Sequence, residues 1–284
     1  MNIQWYPGHM TKAKRMMEEN IKLIDLVIEL LDARIPVSSK NPDIDTLSKG
    51  KARLIILNKA DLADEKATNE WIDYYKSQGI NAVKVNSRMK NFTKQVNEAI
   101  LKSSEAIIAR NLKRGIKNKP IRAMIVGIPN VGKSTFINTL SGRAAAKTGN
   151  KPGVTKGKQW IKIAGNIELL DTPGILWPKF DDEMIGEHIA FIGSVNEEII
   201  DIEELSISFI ATLKKTHSGL LSDRYEVDEG LSDYEILKAI AIKRNCLLKG
   251  AEADTKRAAK LLLDDFKEGI NIRFDTIINK KLKI

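Results

Sequence analysis

The chain's 284 residues are 43% hydrophobic and 29% charged, a globular composition long enough for one domain of about 150 residues and a smaller second one. It contains no apolar run of ~18 residues and no signal-peptide core, so we expect a cytoplasmic protein without a membrane span. A single cysteine, Cys246, excludes an internal disulfide and a zinc site of several cysteines, and a net charge of +9 favours a polyanionic partner.

Apolar runs and helical patterns alternate along roughly the first 177 residues. An amphipathic helix is predicted at 11–24, a buried strand at 25–31, and a second strand within 53–61 that runs into a polar loop. The other predicted elements are a helix at 65–78, a strand at 81–87, a helix at 92–110 with a basic connector to Pro120, a strand at 121–127, a helix from near Lys133, a mobile loop at 142–158, and a hairpin of 159–165 with 167–174.

The remainder of the chain shows only helical patterns. One predicted helix opens with a capping box at Ser232, and another begins after Asp254 and ends at Gly269. Upstream, the alternation of strands and helices predicts a doubly wound, mostly parallel sheet. We therefore predict an α/β domain at 1–177, followed by a small all-helical domain at 178–284.

The segment GIPNVGKST, residues 127–135, fits the phosphate-loop pattern G-x-x-x-x-G-K-[ST], with a predicted strand before it and a helix after it. Its glycines let backbone N–H groups curl around phosphate oxygens at a helix N-terminus. Lys133 is expected to reach the β- and γ-phosphates of a nucleotide and to act in catalysis, and the Ser134 hydroxyl is expected to bind Mg²⁺.

A second phosphate-side motif, DTPG at residues 171–174, ends a predicted strand. Asp171 is expected to hold Mg²⁺ through water, and the Gly174 N–H to meet the γ-phosphate, because glycine allows a close approach. Between the two motifs, Thr155 is the preferred candidate to close on Mg²⁺ when the γ-phosphate is present, and Thr148 is the alternative.

The tetrapeptide NKAD, residues 58–61, ends a predicted buried strand, where open α/β sheets bind ligands. The Asp61 carboxylate can accept hydrogen bonds from the N1–H and the exocyclic amine of guanine, a donor pair that adenine lacks. The other expected base contacts come from this loop and from the loop one strand later: Asn58, Lys59, Asn86 and Ser87. Arg88 follows Ser87 where an alanine is usual in such loops.

The guanine motif precedes the phosphate loop in this chain, which reverses the familiar order. A reversal is permitted because the binding loops need only be neighbours in space. Their order along the chain can change if the two ends of a domain in the familiar order lie close together and are joined by a linker. We therefore predict a base-reading half at 1–90, a linker at 91–120 and a phosphate half at 121–177.

With these motifs together, the chain resembles the circularly permuted GTPases, in particular the bacterial ribosome biogenesis GTPase A family (RbgA/YlqF). The segments that carry the resemblance are WYPGHMTKAKR (5–15), DARIP (32–36), NKAD, GIPNVGKST, PGVT (152–155), DTPGI and CLLKGAEAD (246–254). The resemblance implies a role in late assembly of the large (50S) ribosomal subunit, with GTP hydrolysis stimulated by that particle. It implies GTP and GDP, a precursor of the subunit and its rRNA as partners, with the helical domain at 178–284 as the part that binds RNA or the ribosome. We expect a monomer away from the ribosome.

The predicted nucleotide contacts are Asn58, Lys59, Asp61, Asn86, Ser87, Asn130, Val131, Gly132, Lys133, Ser134, Thr135 and Gly174, and the predicted Mg²⁺ ligands are Ser134, Thr155 and Asp171. Ile175 occupies the position where GTPases of the Ras type carry a water-orienting glutamine, so hydrolysis by the isolated protein should be slow. Two groups are candidates to replace that glutamine. His9 matches the proposed catalytic histidine of the resembling family, and Asn130 matches the asparagine that coordinates K⁺ in related GTPases.

Three functions remain open from the sequence. The first is a GTPase that times assembly of the large subunit. The second is an RNA-binding assembly factor that uses GTP mainly as a conformational ligand with little turnover, and the third is a GTPase that acts on transfer RNA or another RNA. Lys256, Arg257 and Lys260, on one predicted helix face, are candidate contacts for RNA phosphates.

Overall fold

The computed structural model describes residues 8–144, 159–177, 180, 182–195 and 200–269. The chain forms two compact units, one of residues 4–179 and one from Phe180 onward. None of the helices in these described segments is long and apolar enough to span a membrane.

The described part of the first unit is a six-stranded sheet with packed helices. The strands are β1 (Leu26–Asp32), β2 (Ala52–Asn58), β3 (Asn81–Lys84), β4 (Ile121–Val126), β5 (Gln159–Ile163) and β6 (Ile167–Asp171). The helices are α1 (Gly8–Asn20), α2 (Pro42–Leu47), α3 (Glu65–Ser77), α4 (Thr93–Ser103), α5 (Glu105–Lys113) and α6 (Lys133–Ser141). Short 3₁₀ turns lie at Ile21–Leu23, Ala60–Leu62 and Lys90–Phe92.

The strand order is β3-β2-β1-β4-β6-β5, and every neighbouring pair is parallel except the β5–β6 hairpin. Every residue of β1 is buried, which explains why the strand is apolar apart from Glu29 and Asp32. Asp32 lies opposite Asn58 in the β1–β2 register, and Ile125 lies opposite Asp171 in the β4–β6 register. The carboxyl ends of the parallel strands therefore share one edge, and the predicted α/β fold is confirmed.

One hydrophobic cluster fixes α1 to the sheet. Ala13 and Met17 lie four residues apart, on one helix face, and both are buried. They share a cluster with residues of β1, β4, β6 and the segment after β6: Val27, Met124, Val126, Leu170 and Ile175. A fully buried aliphatic side chain contributes about 1.5–3 kcal/mol, so packing on this face holds the first helix in place.

Three parts of the first unit differ from the sequence prediction. Helix α2 was not predicted, although Asn41 caps it and Pro42 is its first residue, a known helix-start pair. The single helix predicted at 92–110 is two helices, because Ser104 leaves helical geometry at φ −103° and ψ 3°. Strand β3 ends at Lys84, three residues earlier than predicted, and the loop that follows belongs to the site described below.

The described part of the second unit is helical apart from one isolated bridge between Leu247 and Ala253. Its helices are α7 (Glu183–Phe191), α8 (Ile202–Thr216), α9 (Leu220–Tyr225), α10 (Asp233–Lys243) and α11 (Thr255–Glu268). The capping box at Ser232 is present, and Asp254 and Gly269 cap α11 at its two ends, as predicted. The assignment of this unit to RNA or ribosome binding stays a prediction.

Glu29 is a buried carboxyl group in the middle of the sheet. It lies on β1 with 1% of its surface exposed, and Arg53 donates to its Oε2 at 2.8 Å. Its Oε1 is buried without a hydrogen-bond partner in the described part of the chain. Burial raises the pKa of Glu29 from 4.5 to about 7, with Asp45 adding to the rise and Arg53 and Lys40 opposing it.

We expect Glu29→Gln to stabilise the protein at neutral and alkaline pH. The folded pKa lies above the unfolded one, so the wild-type protein loses stability as pH rises from about 4.5 to about 7, in total about 3 kcal/mol. The glutamine can still accept a hydrogen bond from Arg53 and does not titrate. The free energy of unfolding of the variant should therefore change less with pH over this range than that of the wild-type protein. Urea unfolding at pH 5 and pH 8 measures the difference, and identical pH profiles for the two proteins would contradict the assignment.

Candidate functional site

The phosphate loop joins β4 to α6 at the carboxyl edge of the sheet. Gly132, immediately before α6, has a φ of +97°, and Asn130 also lies in the left-handed region at +59°. A Cβ at Gly132 would overlap the Asn58 amide nitrogen, so a side chain there would displace the amide that bonds Val131 O of the loop. The loop therefore has the strand-loop-helix geometry that its sequence predicts.

Lys133 is buried at the first position of α6, with 7% of its surface exposed. Its Nζ donates to two carbonyl oxygens of the phosphate loop, Gly127 O at 3.0 Å and Ile128 O at 2.7 Å. Burial lowers the pKa of Lys133 to about 8, while the Asp171 carboxylate opposes that shift. A desolvated cation held by neutral carbonyls is suited to bind an anion that reaches the loop.

Asp171 ends β6 beside this lysine. Its surface is 2% exposed and its Oδ1 has no hydrogen-bond partner within the described residues. Burial raises the pKa of Asp171, against the effects of Lys133 and the Thr172 N–H. A buried carboxylate oxygen without a partner suits a hard cation such as Mg²⁺, which binds oxygen ligands.

Gly174 lies directly against the phosphate loop. A Cβ at this position would come within 2.8 Å of Lys133 Nζ and of the Pro129 backbone. Any residue larger than glycine would therefore displace either the lysine or the loop. The half-buried Ser134 follows Lys133 in the first turn of α6, so Lys133, Ser134, Asp171 and Gly174 are brought to one edge as the sequence predicts.

Asn58 connects the guanine motif to both neighbouring loops. Its Nδ2 donates to Val131 O of the phosphate loop at 2.7 Å. Its Oδ1 accepts from the Ser87 backbone N–H at 3.1 Å and from the Ser87 hydroxyl at 2.6 Å. The Thr139 hydroxyl of α6 in turn donates to Ser87 O at 2.7 Å. One buried amide thus joins the carboxyl ends of β2 and β3 to the loop after β4.

Lys59 and Asp61 complete the guanine motif. Lys59 has a left-handed backbone, with φ +56°, and its Nζ lies 3.0 Å from Asp32 Oδ2. Burial lowers the pKa of Lys59, with Asp32 opposing and Arg34 adding to the shift. Asp61 is exposed, so its carboxylate is accessible to an incoming base.

Asp32 and Arg34 are buried residues of this site to which the sequence motifs assign no role. Both side chains have no exposed surface, and Arg34 binds Asp32 with two nitrogens, Nε to Oδ1 at 2.8 Å and Nη2 to Oδ2 at 2.7 Å. Burial would raise the pKa of Asp32, but Arg34 and Lys59 outweigh it and hold that pKa well below its usual range. The signal in the sequence is the DAR tripeptide, residues 32–34, which places two charged residues at the end of a mainly apolar strand.

The remaining predicted residues fall into two groups. Val131 is buried, whereas Asn86, Asn130 and Thr135 are half-buried at the same edge of the sheet. Thr148 and Thr155 lie outside the described residues, as does the side chain of His9, whose backbone belongs to the first turn of α1. The roles predicted for Thr155 and His9 therefore stay predictions.

Ile175 does not face the solvent. Its side chain is 1% exposed and lies in the hydrophobic cluster with α1. Its backbone N–H donates to Gly127 O at 3.3 Å. The residue at the usual glutamine position therefore serves packing, and it carries no group that could orient water.

The family described as "50S ribosome-binding GTPase" matches residues 122–236. The chain is 43% identical to the ribosome biogenesis GTPase A of Bacillus cereus, over 95% of this chain and 91% of that protein. It is 44% identical to the protein of the same name from Priestia megaterium, over 94% of this chain and 93% of the relative.

Solved structures with a similar fold include GNP-bound YlqF from T. maritima, with a TM-score of 0.65 and 28% identity. The match covers 93% of this chain and 98% of that one. A GDP-bound YlqF structure gives a TM-score of 0.68 at 26% identity, over 93% of this chain and 99% of the other.

Proposed function

Because this chain belongs to the ribosome biogenesis GTPase A family, we propose that it binds GTP at the carboxyl edge of its sheet, hydrolyses it, and acts in assembly of the large ribosomal subunit. The chain is a GTPase of ribosome biogenesis, and its likeness extends over nearly the whole length of relatives with that name. The observation that carries the nucleotide site is Asn58, whose amide bonds the phosphate loop and the Ser87 loop together.

On the base side, we assign recognition of guanine to Asp61, whose exposed carboxylate accepts from the N1–H and the exocyclic amine. Lys59 covers the ring with its aliphatic stem while Asp32 holds its ammonium group. Asn86 and Ser87 supply the second loop at the base. The buried Asn58 fixes the distance between this pocket and the phosphates.

On the phosphate side, we assign the Mg²⁺ ligands to Ser134 and Asp171, with Thr155 as a third. Mg²⁺, when bound, neutralises charge on the β- and γ-phosphates. Asp171 Oδ1 is buried and has no hydrogen-bond partner among the described residues, which supports this assignment. Lys133 exchanges its two carbonyl partners for phosphate oxygens, while the backbone N–H groups of the loop and of Gly174 surround the γ-phosphate.

Because Ile175 lies in the core, another group must position the attacking water. We propose His9 for this role, since α1 packs on Ile175 through Ala13 and Met17 and so runs beside the phosphate-sensing strand end. A K⁺ ion at Asn130 is the second proposal, in which a fixed positive charge stabilises the transition state as an arginine finger does.

For the partner, we propose a precursor of the large subunit and its rRNA, met by the protein as a monomer in the cytoplasm. Lys256, Arg257 and Lys260 are all exposed on α11, opposite its buried apolar face. Cations in this arrangement suit phosphate contacts. The nucleotide state is proposed to govern binding of this partner.

GTP hydrolysis measured with and without large-subunit precursors tests the proposal. Turnover should be slow alone and should rise by about ten-fold or more with the particle, as for other GTPases that lack a complete catalytic set. Unchanged turnover with intact GTP binding would favour the alternative, in which GTP is mainly a conformational ligand. Equal stimulated rates in Na⁺ and K⁺ buffers would remove the K⁺ proposal.

His9→Ala should lower the stimulated rate by about 10²-fold, because a positioned imidazole contributes that much or more to proton transfer and water orientation. Affinity for GTP should stay unchanged. His217→Ala, which removes a histidine of the second unit, is the matched control and should leave the rate unaffected. Full stimulated turnover in His9→Ala would show that the histidine is not catalytic.

A further inference from the structure

The segment between β1 and β2 contains an asparagine that reaches the phosphate-sensing motif. Asn41 is 1% exposed and precedes α2. Its Oδ1 accepts from the Asp43 backbone N–H at 3.0 Å, which caps the helix. Its Nδ2 donates to Ile175 O at 3.3 Å, across a separation of 134 residues in the chain.

The amide orientation is fixed by its two partners. Asp43 presents an N–H and Ile175 presents a carbonyl oxygen, so only one assignment of Oδ1 and Nδ2 makes both bonds. A side chain at this position must accept at one end and donate at the other. Aspartate and serine can cap a helix, but neither can also reach and donate to Ile175 O.

Ile175 is consequently held at three points. Its N–H is bonded to Gly127 O of the phosphate loop, its carbonyl to Asn41, and its side chain lies in the cluster that also contains Ile44 of α2. The preceding residue, Gly174, fits against Lys133 and Pro129 with no room for a Cβ. The backbone at Gly174 therefore sits on the phosphate loop because the next residue is anchored.

We propose that Asn41 is a positioning residue for the γ-phosphate sensor, the segment Asp171–Ile175. By holding Ile175 O, it keeps the Gly174 backbone at the phosphate loop, where its N–H meets the γ-phosphate. The inference rests on the nucleotide site proposed above and adds a residue to it. GDP lacks the γ-phosphate, so Asn41 contributes to binding of the triphosphate and not of the diphosphate.

The substitution Asn41→Asp keeps one of the two hydrogen bonds of the Asn41 amide and removes the other. The carboxylate still accepts from the Asp43 N–H but turns an oxygen toward Ile175 O, so the segment loses its anchor. Affinity for a non-hydrolysable GTP analogue should fall about five-fold or more, which is the loss of one hydrogen bond, while GDP affinity stays within about two-fold. Asn41→Ser, with an uncharged cap too short to reach Ile175, should show the same selective loss.

Asp43→Asn is the matched control, since it removes the ion pair with Lys14 (2.8 Å) and leaves the Asn41 bonds in place. It should keep the wild-type ratio of the two affinities. An equal fall for GDP and the GTP analogue in both Asn41 variants, or no fall in either, would overturn the role of Asn41. If the wild-type protein binds neither nucleotide, the proposed function itself fails. That result comes from the wild-type protein alone, so it is distinguishable from a failure of the role proposed for Asn41.

Discussion

Replacing Asp61 with asparagine is expected to weaken GTP binding by a factor on the order of 10² to 10⁴, because two hydrogen bonds to a charged carboxylate are lost. The asparagine amide would set its own donors against the N1–H and amine of guanine. Xanthine carries a carbonyl where guanine carries the amine, so xanthosine triphosphate should become the preferred nucleotide. Equilibrium binding of both triphosphates to both proteins measures the exchange.

The control for this change is Asp64→Asn, three residues downstream. Asp64 caps α3 by accepting from the Ala67 N–H at 2.7 Å, and asparagine can accept the same bond. The control removes one negative charge from the same neighbourhood and should keep wild-type GTP affinity. An Asp61→Asn protein that binds GTP as tightly as wild type would overturn the guanine assignment.

Replacing Lys133 with methionine is expected to lower GTP hydrolysis by a factor on the order of 10² to 10³, the usual effect of removing one donor from developing negative charge. The lysine is buried, and removal of its ammonium group from water lowers its pKa. Methionine fills a similar volume without a charge to desolvate, so the melting temperature should be unchanged or higher.

Single-turnover hydrolysis and thermal unfolding, run on the same preparations, separate the two effects. Lys113→Met on α5 is the matched control, since that lysine is exposed and should affect neither quantity. If Lys133→Met hydrolyses GTP at the wild-type rate, the phosphates do not bind at Lys133 and the assignment of this lysine is wrong. A large drop in melting temperature would instead mean that the ammonium–carbonyl bonds stabilise the loop more than burial of the charge costs.

The strand positions and the edge of the sheet were predictable because buried parallel strands have continuous apolar runs that end in polar loops. The NKAD motif follows such a run, so its position at the carboxyl edge could be inferred before Asn58 was seen to bond Val131. The prediction that the base-reading half precedes the phosphate half needed only the rule that neighbouring binding loops can be joined in either chain order.

Other features depend on contacts that no local pattern reveals. Helix α2 has six residues, too few for a hydrophobic period, and only its Asn-Pro start marked it. The break between α4 and α5 at Ser104 could not be predicted, because no glycine or proline lies there. The complete burial of Arg34 depends on where β1 ends beside β2, and the bond from Asn41 to Ile175 spans 134 residues. These contacts follow from tertiary packing rather than from spacing.

The central place of β4 in the sheet has a consequence for synthesis of the protein. A ribosome releases β1, β2 and β3 first, so a nascent chain can form the loops that face the base well before β4 appears. Val131, the partner that Asn58 needs, is 73 residues further along. A growing chain therefore lacks the phosphate loop until β4 and α6 have been made, and it lacks Asp171 and Gly174 until β6 has followed, so the complete set of proposed binding loops comes together only when synthesis of the first unit is nearly finished.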